Sequence, residues 1–161
     1  MDSDGGRPCV PLQINPDYGY VIGVDVGETR VQVELFDLMM AERAKADYPL
    51  DPRQHGPDVI VAAILSGLDA VIASAGVMPS AVLGVGVGVP GIVDDGPELL
   101  VHGQPVGWES VPLKRLLESG TRLPLHIDNG AKTMGQGRTL VRRGPWRPAR
   151  GRLPDRLRCQ R

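Results

Sequence analysis

The chain has 161 residues, 42% of them hydrophobic but only 4% aromatic, with 21 Gly and 15 Pro, so a core must be built from Val, Leu, Ile and Ala, as in strands packed under helices. Its formal net charge of -1 hides a divide, because residues 1–136 carry 9 Lys/Arg against 18 Asp/Glu while residues 137–161 carry 9 Arg against Asp155 alone. Cys9 and Cys159 are too few and too far apart for a disulfide framework or a zinc site, no apolar run approaches the roughly 20 residues that cross a bilayer, and Met1 to Gly19 has no signal-peptide core, which together point to a cytoplasmic protein.

Residues 1–19 are polar, interrupted by Gly5, Gly6, Pro8, Pro11 and Pro16, and read as a leader or linker. From Tyr20 the apolar residues become dense and β-branched. Tyr20 to Val26 and Val31 to Phe36 predict a β-hairpin around a Gly27-Glu28-Thr29-Arg30 turn, followed by a third strand near Ala41 to Tyr48. Asp58 to Ala75 carries Val59, Ala62, Leu65, Leu68, Val71 and Ile72 at helical spacing, after a Gly56-Pro57 start and before a Gly76 stop. Val82 to Val89 predicts a buried strand whose alternating Gly84, Gly86 and Gly88 let another backbone approach. A short helix over Val111 to Ser119, a strand over Leu123 to Ile127 and a new helix from Gly130 complete the order. Strands and helices in this succession give a mixed sheet of the α/β class.

Three constellations carry chemistry. In Asp25-x-Gly27-x-Thr29-Arg30 the glycine permits a tight turn, exposed N–H groups and the Thr29 hydroxyl can take phosphate oxygens, and Asp25 can hold a magnesium-bound water. A structural hairpin turn would use the same residues. Gly88-Val89-Pro90-Gly91 follows a buried strand, at the carboxyl end where ligands sit in α/β sheets, although a plain Pro-Gly turn has the same spelling. In Leu125-His126-Ile127-Asp128-Asn129-Gly130, an acidic side chain at a strand end can cap the following helix or act as a general base towards a ligand hydroxyl. Capping alone would account for Asp128 or for Asn129.

Found together and in this order, the three resemble a known family. VIGVDVGETRVQVELFD resembles the opening motif of the ROK family (repressors, open reading frames and sugar kinases), VLGVGVGVPGIVD its second motif, and GWESVPL followed by LPLHIDNGAKTMGQ its sugar-site segment. The resemblance spans residues 20–136 and implies the N-terminal lobe of an actin-like, ribonuclease-H-like ATPase fold. It further implies ATP with Mg²⁺ at Asp25, Gly27, Thr29 and Arg30, a sugar or sugar phosphate near Gly91 and Gln104, and Asp128 as the catalytic base that also touches the sugar. Two positions depart from the pattern: Ile127 stands where the family has a sugar-binding Asn, and Gln104 where it has another Asn. The leader resembles the joint that links a helix-turn-helix to the sensor in ROK repressors, so the expected identity is a sugar-sensing fragment of a ROK transcriptional regulator, without the DNA-binding head and the second lobe. The alternative is a truncated, glucokinase-like ROK sugar kinase. The resemblance implies that the zinc-binding cluster of the family is expected to be missing from this chain, DNA is expected as a partner only of a full-length parent, no membrane partner is expected, and a homodimer is the expected assembly.

After Gln136 the family pattern gives way to Arg, Pro and Gly. A GC-rich back-translation of Gly137 to Trp146, read one base later, gives AELWFGAGRG, like the family's continuation; Pro154 to Gln160 shifts to LIGSGVS. Residues 137–161 are therefore expected to be an out-of-frame, disordered tail rather than a nucleic-acid-binding arm.

Overall fold

A computed structural model of the chain describes residues 13–51, 56–94, 96 and 99–133. Cys9, Cys159 and the reading of residues 137–161 as an out-of-frame tail lie outside the described residues. The larger unit is a five-stranded sheet of β1 (Tyr20–Val26), β2 (Arg30–Asp37), β3 (Glu42–Pro49), β4 (Val82–Val89) and β8 (Leu125–Asn129), in the order β3-β2-β1-β4-β8. β1 to β3 form an antiparallel meander, whereas β4 runs parallel to β1 and β8 parallel to β4. Parallel neighbours need crossovers. The first crossover is α1 (Pro57–Ala75), and the second holds a small antiparallel sheet of β5 (Ile92–Val93), β6 (Val101–Gly103) and β7 (Trp108–Val111) and then α2 (Leu113–Glu118).

Alternation along the strands divides the large sheet into two unlike faces. One carries Ile22, Val24 and Val26 on β1, Val31, Val33 and Leu35 on β2, Val85, Val87 and Val89 on β4 and Ile127 on β8, all no more than 4% exposed. Ile60, Ile64, Leu68 and Val71 of α1 and Leu113 and Leu117 of α2 complete this core, each large aliphatic side chain contributing about 1.5–3 kcal/mol by its removal from water. Gly67 sets the helix against the sheet: a Cβ there would stand 2.5 Å from Val33 Cγ2. Gly76, at φ 65°, closes α1, its N–H bonded to the carbonyls of Ala73 and Ile72.

Some boundaries differ from those the sequence suggests. By length and composition α1, 19 residues of mean hydropathy 1.9, is apolar enough to cross a bilayer, contrary to the expectation that no run approaches that length; its apolar stripe is instead packed on β2 and β3. β8 starts two residues later than expected, after Pro124, whose carbonyl accepts from the Val85 N–H. Val111 ends β7, so the short helix begins only after Pro112. The small sheet was not foreseen because strands of two to four residues show no period. The leader is not wholly irregular: Pro16–Tyr18 form a 3-10 turn capped by the Asn15 side chain. Arg43 on β3 ties that turn down, reaching Asp17 at 3.1 Å and the buried Asp37 at 3.8 Å.

Candidate functional site

The second face of the sheet carries the polar residues. Strand pairing sets Asp25 opposite Gly88 and Gly88 opposite Asp128, so two carboxylates from β1 and β8 share a row with only a glycine between them. Two strand spacings separate their backbones by about 9.6 Å. The adjacent row repeats the device, Gly23 pairing with Gly86 and Gly86 with His126, with Glu34 of β2 beyond Gly23. The missing side chains leave a cavity of about 430 Å³, floored by Gly23, Gly86 and Gly88 and walled by Asp25, Gln32 and Glu34 on one side and His126 and Asp128 on the other. A Cβ at Gly86 would meet nothing within 4 Å, whereas one at Gly88 would lie 3.2 Å from Gly130 Cα and 3.9 Å from Asp25 Oδ1. Gly88 is therefore the point where β1, β4 and the end of β8 crowd together.

Asp128 is held by two groups of the turn that follows it. The Asn129 N–H donates to its Oδ1 at 2.7 Å, and Lys132 Nζ lies 3.2 Å from Oδ1 and 2.9 Å from Oδ2. The hydrogen bond from Lys132, followed by that from the Asn129 backbone, holds the carboxyl below its usual range. The cap of the following turn is Asn129 and not Asp128: the Asn129 Oδ1 accepts from the Lys132 N–H at 3.0 Å, and the Thr133 hydroxyl donates to the Asn129 carbonyl. The other end of the Asn129 amide donates to the carbonyl of Gly91. On the far wall Glu34 accepts from Lys45 at 3.1 Å and from the Gln32 amide, and this contact raises the Lys45 pKa above its ordinary value.

The remaining residues suggested by the sequence lie outside the cavity lining. Gly27, Thr29 and Arg30 form the hairpin tip at the end of β1. The Gly27 N–H is bonded to the Arg30 carbonyl at 2.9 Å and the Thr29 carbonyl accepts from Leu50, so Gly27 shapes the turn without its own N–H being free for a phosphate, while the Thr29 and Arg30 side chains are exposed. Gly91 has φ 131°, and a Cβ there would stand 2.2 Å from the His102 carbonyl oxygen. It anchors the turn after β4 to β6 and, through Asn129, to β8. Gln104 opens the exposed turn after β6. Ile127 is 4% exposed in the core, on the opposite side of β8 from His126 and Asp128. Sequence reasoning passed over Lys132, His126 and Glu34. Alternation from Asp128 would have marked His126; Lys132 and Glu34 needed the helix cap and the strand register. Among the described residues no group of three His, Cys, Asp or Glu side chains is placed to hold a metal ion.

Residues 21–143 match a family profile described as the ROK family. The putative xylose repressor of Caldicellulosiruptor sp. strain Rt8B.4 is 33% identical over 138 residues, which are 84% of this chain and 34% of that protein. The glucokinase of Halalkalibacterium halodurans is 30% identical over 118 residues, 73% of this chain and 36% of that protein. The chain thus spans about a third of the length of the curated relatives it matches. Among solved structures, a ROK family glucokinase from Streptomyces griseus in complex with glucose and AMPPNP superposes with a TM-score of 0.65 at 27% identity, over 81% of this chain and 38% of that one. The fold is the mixed α/β lobe of the actin-like ATPases.

Proposed function

The chain belongs to the ROK family, and from that premise we propose that it is the sugar-recognising part of a ROK transcriptional regulator, its ligand a sugar or sugar phosphate held at the carboxylate-walled cavity. The observation that carries this reading is the row Asp25, Gly88, Asp128. Two acceptor-only side chains facing each other across a glycine floor suit a ligand made of hydroxyl donors, and the missing Cβ atoms leave it room. The regulator branch is supported by the xylose repressor, 33% identical over 84% of the chain, beside the glucokinase, 30% identical over 73%.

The kinase reading rests on Asp128 standing where the family has its base, with Asp25, Thr29 and Arg30 at the hairpin for ATP and Mg²⁺. Those residue types fit a polyphosphate: a hydroxyl and a guanidinium are exposed at the turn, and Asp25 could hold a metal-bound water. Bound there, the nucleotide would supply the phosphoryl group, and Asp128 would have to take the proton of the accepting hydroxyl. Under the favoured reading Asp128 accepts a hydrogen bond from that hydroxyl and keeps it. DNA is a partner of the full-length parent, the cytoplasm is the site of action, and a homodimer is the working assembly. Residues 20–136 form the lobe, and residues 137–161 are an out-of-frame tail; the family match ends at residue 143, inside that tail. Sequencing the gene tests the tail, since deleting one base near codon 137 must restore an open ROK frame.

Calorimetric titration with D-xylose and D-glucose, with and without ATP, separates the readings. Saturable sugar binding that is lost in D128N, with no ADP formed, is the expected result; sugar-dependent ADP release would make the chain a kinase.

A further inference from the structure

The Asp128 carboxylate has four lone-pair sites, and the turn that follows β8 supplies two donors to Oδ1 and sets an ammonium beside Oδ2. Oδ1 accepts from the Asn129 N–H at 2.7 Å and from Lys132 Nζ at 3.2 Å, while Oδ2 faces the same ammonium at 2.9 Å. Lys132 does not meet Asp128 by chance of a long side chain. Its backbone N–H is held 3.0 Å from the Asn129 Oδ1 cap, and the Thr133 hydroxyl fastens the same turn to the Asn129 carbonyl, so the Lys132 Cα is fixed one helical turn beyond Asp128. From there the stem has only to fold back over the turn.

We propose that Lys132 is a positioning residue for the sugar site, holding the Asp128 carboxylate as an oriented hydrogen-bond acceptor and weakening it as a base. This rests on the sugar-recognition reading given above. Two neighbours on the same face act against the clamp and one acts with it. Asp25, across Gly88, and Glu34, three strands away, are like charges that disfavour a third carboxylate; Glu34 is offset by Lys45, and His126 supports the charged form of Asp128. Lys132 is the cation in direct contact with both Asp128 oxygens. A base for a sugar hydroxyl must surrender its charge to a proton in the transition state, and an ammonium at hydrogen-bond distance from both oxygens penalises that step. A receptor gains from the same contact, because the carboxylate no longer has to be ordered when a hydroxyl arrives.

The test uses the full 161-residue chain as wild type, K132M and K132R. The Asp128 side-chain carboxyl is followed by ¹³C NMR against pH without sugar, and D-xylose binding is then measured by calorimetry. In K132M the carboxyl should titrate at a clearly higher pH than in wild type and D-xylose affinity should fall about tenfold; K132R should return both towards wild type. A K132M chain whose Asp128 titrates like wild type, or which binds D-xylose as tightly, would overturn the proposal. Absence of D-xylose and D-glucose binding in wild type, with the K132M titration shift intact, would instead sink the sugar-recognition reading while leaving the hold of Lys132 on Asp128 demonstrated.

Discussion

Asp128 is the residue through which the site and its pH behaviour are linked. Hydrogen bonding from Lys132 and the Asn129 backbone lowers its pKa in the folded chain, so the folded form binds a proton less readily than the unfolded one. The resulting stabilisation is fully present above the unfolded carboxyl value of about 3.9 and disappears as the pH falls through the lowered folded value. D128N should flatten the acid limb of a thermal-stability profile recorded from pH 6 downwards by lowering its neutral end, and only slightly, since a solvent-exposed pair is heavily screened, while the two chains converge at the acid end. An unaltered acid limb would mean that the contact with Lys132 does not persist in solution. Gly86 offers the complementary experiment. Its missing Cβ opens onto empty space, so G86V should fold at least as stably as wild type, gaining up to about 1 kcal/mol from the loss of a strand glycine, yet bind sugar at least about tenfold more weakly because the valine occupies the cavity floor. Denaturation and calorimetry on the one variant separate these two effects.

At the scale of elements, α1 shows how a tertiary contact overrides a local preference. Gly67 lies in the middle of a 19-residue helix, where alanine would ordinarily be better by about 1 kcal/mol. Here the added Cβ would sit 2.5 Å from Val33 Cγ2, and overpacking of this kind costs about 1–3 kcal/mol. G67A should therefore be net destabilised by urea denaturation; a more stable variant would show that α1 can ride up off β2 without loss. The elements with a strong period were legible in the sequence for the same physical reason that they are stable. Alternation in Tyr20 to Val26 and Val82 to Val89 gave two neighbouring strands, and the apolar stripe from Asp58 to Ala75 gave the helix that covers β2 and β3. The short strands β5 to β7 were not legible because three residues bear no period, and β8 was misplaced by two residues because Pro124 resembles a strand start as readily as a boundary. The site was half legible. Asp25 and Asp128 announce themselves as acids at strand ends, but that they share a row across Gly88 is a matter of register, and that Lys132 returns to Asp128 follows from Asn129, rather than Asp128, taking the cap.

The whole molecule is organised by the contrast between its two sheet faces. Val, Ile and Leu on one face are covered by α1 and α2, and the other face presents glycines, carboxylates and a histidine around a cavity that, among the described residues, no helix spans. The β3 edge carries Glu42, Arg43, Lys45 and Asp47, a run of charge that discourages edge-to-edge pairing and leaves the polar face as the surface for recognition. The leader turn is fastened by Arg43 and Asp17 to β3, at the edge of the five-stranded platform. A sugar on the polar face would rest on the strands that the platform is built from. Amide chemical-shift mapping of the full chain on titration with D-xylose or D-glucose tests this account most directly. Saturable shifts concentrated at Asp25, Gly86, Gly88, His126, Asp128 and Asn129 are the predicted result, and no shifts at saturating sugar, or shifts gathered on α1 instead, would contradict it.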